Sequence, residues 1–380
     1  MKRLLTLFVV LLLVVPMASA QSRKRNKTKR LPEGIEYSSR YAVLPAHLSL
    51  VEKQIEIPGA PVNAVRFGAV DTLCNMVIEP IYSELISYHK SGYAIVTRDG
   101  KRGLLDMSCR EFIPCEWTQV FIPYDNRIRV QVGNGKNKRF GFLNMKGEQV
   151  IAPVLEGATN YNNGIAAVRQ DGKWGHIDTL GRIITPLQYD DAQNFFNGYA
   201  AVGVQGKYYI KYGFVDLSGK LVIPTDYYSV SGFVNGRAVV SRIINGAPRY
   251  GAIDTTGALV VPIEWDYVSS FRYHSTWVGK GVYPNCVYTL LDENGTRLIS
   301  TDLYDLDDSG GGGRYASAGV RIGDGTLRYG VVSHRGRVIL PFRYERITLF
   351  TENLADGSQA LRVMAVLNGK DVSLELRFED

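Results

Sequence analysis

The sequence predicts an all-β protein built from tandem repeats, and three observations predict it. A motif of about 37 residues recurs eight times between residues 62 and 350. Each copy carries turn-forming residues at fixed offsets, and the segments between the turns are short and apolar, the length of strands rather than helices. With 45% hydrophobic and 21% charged residues, the 380-residue chain has the composition of a folded protein.

The chain opens with Lys2 and Arg3, an unbroken apolar run from Leu4 to Val15, Pro16 and the small residues Ala18-Ser19-Ala20. That order reads as a secretory signal peptide over residues 1–20, cleaved after Ala20. An uncleaved anchor is the alternative, but the run is short for a bilayer span. The first cysteine is Cys74, so no lipid-modified cysteine follows the leader, and no other run of 18 apolar residues exists. The protein is therefore expected to be exported, whether periplasmic, at the cell surface or secreted, without stable membrane insertion after cleavage. Residues 21–33 read as a basic, disordered tether. Weak, salt-dependent attachment to acidic polymer or lipid headgroups is its sharper alternative.

The formal charge is +7, yet residues 1–30 hold eight Lys or Arg and no acid. The remainder balances 36 basic against 37 acidic residues, so the body is not basic and no nucleic-acid partner is expected.

Aligning Lys173-Trp174-Gly175-His176-Ile177-Asp178 with Lys211-Tyr212-Gly213-Phe214-Val215-Asp216 and Arg249-Tyr250-Gly251-Ala252-Ile253-Asp254 defines the repeat unit. Its anchor falls at Gly68, Gly103, Gly141, Gly175, Gly213, Gly251, Thr289 and Gly330, preceded by an aromatic residue in every unit but the second, which has Arg102. Three residues beyond the anchor stands Asp, Asn144 or Ser333, and six beyond it stands Gly in six units. An Asx or Ser residue followed three places later by Gly is the chemistry of a type I turn closed by a left-handed residue, so two strands form a hairpin here. Cys74 and Cys109 replace that glycine in the first two units, where the turn is expected to be strained or to change type.

A short apolar strand follows and reaches a proline, as in Leu221-Val222-Ile223-Pro224. Proline withholds a donor and is expected to end the pairing. An aromatic residue stands three places further on in six units, among them Tyr189, Tyr227 and Trp265, and offers a fourth short strand. The unit closes on a small-residue strand such as Gly198-Tyr199-Ala200-Ala201-Val202, which suits the crowded innermost position of a propeller blade.

Together, the Lys-Trp-Gly-x-Ile-Asp core, the following Gly, the Pro-x-x-Tyr-Asp step and the Gly-Tyr-Ala-x-Val strand resemble the WG, or KWG, repeat family of bacterial exported proteins. The resemblance is strongest in units three to six and departs at Arg102, at Thr289, at Leu155 and at the missing turn glycines. It implies an all-β repeat array and no shared enzymatic activity. Residues 34–380 are accordingly expected to form a single all-β repeat domain, a seven- or eight-bladed β-propeller-like ring whose terminal strands complete one blade. An open β-solenoid array is the alternative.

Recurring Asp residues read as turn formers and recurring aromatics as core. His47, His89, His176, His274 and His334 show no metal-ligand spacing, and neither a metal nor a cofactor is expected. Cys74 and Cys109 occupy equivalent turns and are candidates for a disulfide, against the simpler reading that all four cysteines are free. Asp305-Leu306-Asp307-Asp308-Ser309-Gly310 resembles the first half of a calcium loop, but Ala316 stands where the bidentate Glu belongs. The run Ser309 to Arg314 lacks the end of a phosphate loop and reads as a flexible insertion. Arg127-Ile128-Arg129-Val130-Gln131-Val132, followed by Lys136, Lys138 and Arg139, reads as a basic strand edge.

The main site candidate lies where the repeat fails. In the seventh unit the expected Gly-Tyr-Ala strand is replaced by a stretch holding Arg272, Tyr273, His274, Trp277, Lys280 and Tyr283, the mixture of aromatic anchors and cations found on recognition surfaces. A drifted unit repacked on the same core is the competing reading. The sequence thus points to a non-catalytic, exported interaction module that presents a repeat-built surface to a protein or cell-surface glycan. A hydrolase-like exported enzyme with residues dispersed around a propeller pocket, and a structural cell-envelope protein, are the alternatives.

Overall fold

The computed structural model describes residues 30–58, 63–84, 86–282, 285–354 and 358–377. The leader, most of the tether and Tyr283 lie outside the described residues. Among the described residues the strands gather into nine small antiparallel sheets of three or four strands, each strand bonding to its neighbours along the chain. Among the described residues no helix is long and apolar enough to cross a membrane.

One compact unit ends at Tyr88 and contains the first sheet, Ile35–Tyr37, Leu48–Ile55, Ala64–Asp71 and Met76–Tyr82. A second unit, His89–Asp380, contains the other eight. Each of the first eight sheets holds one anchor position; the ninth, Arg346–Asn353, Gln359–Leu367 and Lys370–Arg377, holds none. The terminal strands complete sheets of their own instead of one shared blade.

The fifth sheet shows the pattern: Asp191–Ala192, Tyr199–Gln205, Ile210–Asp216 and Leu221–Tyr227, in that order. Its last hairpin turns on Asp216, whose Oδ1 accepts from the amides of Ser218 and Lys220 at 2.9 and 3.1 Å while its carbonyl accepts from Gly219 at 2.9 Å. The Ser218 hydroxyl also donates to this carboxylate, and these bonds hold its pKa below the usual range. The same Asx geometry recurs at Asp71, Asp106, Asn144, Asp178, Asp254 and Asp292. Cys74 and Cys109 keep the turn type and accept its backbone, at φ 61° and 63°. They are free thiols, as are Cys115 and Cys286, so the proposed disulfide is not formed. Cys74 Sγ instead lies 3.3 Å from the Tyr37 hydroxyl.

Proline does not end its strand. In the fourth sheet Trp174 pairs with Tyr189 and His176 with Thr185, so three residues including Pro186 bulge opposite the single Gly175. The bulge absorbs the missing proline donor, and the strand runs on to the aromatic residue. It also explains the anchor glycine. A Cβ at Gly175 would stand 2.5 Å from the Thr185 carbonyl oxygen and 2.7 Å from that of Pro186. Thr289 stands in the seventh sheet, which has three strands, Tyr267–Val268, Ser275–Lys280 and Val287–Asp292, and the segment facing it pairs only through isolated bridges, Tyr288 with Leu303 and Leu291 with Arg297, with residues 299–302 looping out past the anchor.

The fourth strand is the two-residue step after the aromatic, and the small-residue strand lies second in its sheet, not innermost. Its residues are small because both faces are covered. Ala200 and Val202 pack with Ile165, Ala167 and Tyr189 of the preceding sheet. Ala201 packs with Phe233, Ala238 and Val240 of the following one. Burying apolar surface between consecutive sheets is the main cohesive force of the array.

The supposed basic edge is an interior strand, Arg127–Val132, bonded on both sides. Arg129 lies half-buried over the Phe121 ring at 3.9 Å and donates to the Ala158 carbonyl, while Arg127 donates to the carbonyl of Thr179 at 2.9 and 3.2 Å. These cations join neighbouring sheets.

Candidate binding groove

A tight turn precedes each small-residue strand. In the fifth unit Phe196 and Tyr199 exchange backbone bonds across Asn197 and Gly198, both left-handed at φ 48° and 87°. This is the geometry of a type I′ turn, which favours Asn-Gly. The sixth unit uses Asn235-Gly236 in the same way. In the seventh, Arg272 and Ser275 exchange bonds of 2.8 and 2.9 Å across Tyr273 and His274, at φ 47° and 64°. Two bulky side chains thus occupy a backbone suited to Asn-Gly, at a cost of about 1–2 kcal/mol each. Strain of this kind marks a position held for its side chain.

Tyr273 stands 46% exposed between two depressions. One, of about 250 Å³, is lined by Tyr273, Arg314, Tyr315, Ser333, His334, Arg335, Arg337 and Ile339. The other, of about 510 Å³, joins the turns of three consecutive units through Asn235, Arg272, Tyr273, Gly312 and Gly313. Arg314 crosses between the seventh and eighth units, its guanidinium 5.6 Å from the Tyr273 ring centre and its Nε donating to the Tyr273 hydroxyl at 3.2 Å. Among the described residues, the first depression is lined by three arginines and no carboxylate.

His334, which also lines it, is buried and only 2% exposed. The imidazole packs between Trp277 and Tyr273, with ring centres 5.7 and 6.3 Å away. Its Nδ1 lies 2.8 Å from Ser275 Oγ, which also stands 3.1 Å from the Arg272 carbonyl oxygen. Nε2 has no partner among the described residues. Burial pushes the pKa down to about 4, with Asp308 opposing and Arg272 adding to the shift. The ring is neutral at neutral pH.

The sequence candidates separate. Arg272 and Tyr273 line the groove. His274 turns to Glu293, with Nδ1 2.6 Å from the carboxylate. Trp277 is fully buried in the core between the seventh and eighth sheets, so it supports His334 and offers no surface contact. Lys280 reaches Glu264 at 2.9 Å and lies over Trp265, at the far end of its strand. Tyr283 lies outside the described residues.

What sequence reasoning missed is the contribution of the eighth unit. Ser333-His334-Arg335 replaces the usual Asp turn there, and that departure was the available clue. The calcium-like segment is a strand, Asp305–Gly311, and Ala316 is buried in the next one, so no cation loop forms. Nor is the glycine run a flexible insertion: a Cβ on Gly310 would strike the Leu349 carbonyl of the ninth sheet.

These features define the class, an all-β tandem-repeat protein of propeller-like blades whose irregular turns shape a groove. The profile of the WG containing repeat matches residues 67–101, 140–174, 174–208, 212–242, 250–274 and 329–356, and the chain is a member of the WG-repeat family. The second and seventh anchors, Gly103 and Thr289, fall in the gaps between these matches. No curated protein matches the chain in sequence. Among solved structures it is similar to the tricorn protease (12% identity, TM-score 0.21, covering 88% of this chain and 40% of that one). Similarity extends to dipeptidyl peptidase 4 of Porphyromonas gingivalis (10%, TM-score 0.33, 87% and 57%) and to TolB from Acinetobacter baumannii (12%, TM-score 0.26, 67% and 77%). The chain spans 40 to 57% of the length of these two peptidases.

Proposed function

We propose that this protein is an exported, non-catalytic binding module whose groove over the sixth to eighth units takes a protein or a cell-surface glycan. The observation that carries the reading is Tyr273-His274 in a turn suited to Asn-Gly, which places an exposed aromatic ring between two depressions. Binding is favoured over catalysis by the wiring of the polar groups. Ser275 is buried, with its hydroxyl shared between the Arg272 carbonyl and His334, and no carboxylate stands among the described residues that line the cavity beside His334. Export rests on the leader read at residues 1–20. Probing glycan and peptide arrays with the mature chain tests the proposal: ligands retained in high salt and lost in Tyr273→Ala support it. Turnover of an array component that depends on His334 would instead favour the enzyme.

A further inference from the structure

Resting on that binding reading, the geometry points to an acidic saccharide as the ligand: its ring against Tyr273, its carboxylate among Arg314, Arg335 and Arg337, and a hydroxyl donating to His334 Nε2. Three observations converge on this chemistry. First, the described residues that line the smaller depression include three arginines and no carboxylate, and guanidinium groups match carboxylate geometry. Second, with the Ser275 hydroxyl donating to the Arg272 carbonyl and Nδ1 donating to Oγ, the unpartnered Nε2 is an acceptor and selects a ligand with a donor close to its charge. Sulfate, phosphate dianion or a simple carboxylate brings acceptors alone, whereas a sugar acid carries hydroxyl donors beside its carboxylate. Third, an exposed tyrosine ring offers an apolar plane with a polar tip, suited to the C–H face of a pyranose.

An acidic peptide fits less well. Extended peptides are usually captured by pairing with a free strand edge. Here the groove walls are turns whose backbone groups already bond each other: Arg272 with Ser275, Arg314 with Gly311, His334 with Arg314 and Gly336 with Ser333. Side chains are left to do the recognition. Because the larger depression continues across the turns of three consecutive units, the groove suits several linked residues rather than one monosaccharide.

The test is calorimetric titration of the full-length protein with an oligogalacturonate, its methyl ester and poly-L-glutamate. The oligogalacturonate is expected to bind, with affinity about tenfold weaker after esterification and about tenfold weaker in Tyr273→Ala. Arg335→Gln should weaken it several-fold, with unfolding midpoints confirming that both variants fold. Equal affinity for the ester, or for polyglutamate, overturns the acidic-sugar assignment. So does binding that Tyr273→Ala leaves unchanged. If a neutral glycan or array peptide binds instead and depends on Tyr273, the acidic-sugar assignment falls and the binding module stands; if no array ligand binds, both fall.

Discussion

Substituting Gly175→Ala probes the device that repeats through the array. The added methyl would lie 2.5 Å from the Thr185 carbonyl oxygen, where ordinary contact begins at 3.4 Å, a deficit of about 0.9 Å. The methyl is fixed rigidly to the anchor strand and the oxygen belongs to the backbone where the bulge around Pro186 begins, so no rotamer change relieves the overlap. The bulge must open or the ladder between Trp174 and Tyr189 must shift. Forcing extra volume into a packed interior typically costs about 1–3 kcal/mol, and that loss is expected here. Urea unfolding followed by tryptophan fluorescence measures it, since Trp174 adjoins the site. Gly323→Ala is the control, because a Cβ there meets nothing within 4 Å and φ is not left-handed. Its expected effect is within about 0.5 kcal/mol of zero or slightly stabilising. Equal midpoints for the two variants would refute the claim that anchor glycines exist to admit the bulged strand.

Cys109→Gly should stabilise the protein by about 1 kcal/mol in the same assay, because it relieves a left-handed cysteine and restores the residue used by the later units. The double substitution Tyr273→Asn with His274→Gly should raise stability by about 1–2 kcal/mol while abolishing ligand binding in the groove, a trade visible by comparing unfolding and titration. Acidification should destabilise through His334. Its folded pKa, about 4, lies below the ordinary 6.5, so the unfolded chain binds the extra proton; stability is full above about pH 6.5 and falls as pH drops toward 4, by up to about 3 kcal/mol. In His334→Gln the slope of stability against pH over that window should flatten, as measured by urea midpoints.

The local code of this protein was written in its residues. The Asp-x-x-Gly spacing specifies an Asx turn because one carboxylate oxygen can accept two nearby amides, a geometry that needs nothing from the rest of the chain. Seven Asx turns and the Ser333 turn of the eighth unit, with apolar runs between them, were enough to name an all-β repeat protein. The role of proline was not legible. Whether it ends a strand or sits in a bulge depends on what the facing strand can admit, and only the pairing of Gly175 against Thr185 and Pro186 decides that.

The same division runs through the groove. The seventh unit's departure from the repeat was visible in sequence, and Tyr273 with it. That Trp277, four residues on, is wholly buried depended on the eighth sheet packing over its strand. That Arg314, Arg335, Arg337 and His334 gather around Tyr273 depended on the same contact, because these residues are about 40 or more positions away along the chain and nothing in their spacing brings them together. Sequence alone determined the turns and strands, since these arise from bonds between residues a few places apart. Tertiary structure decided which irregular turns face one another, because a groove is formed by packing between units and not by any one of them.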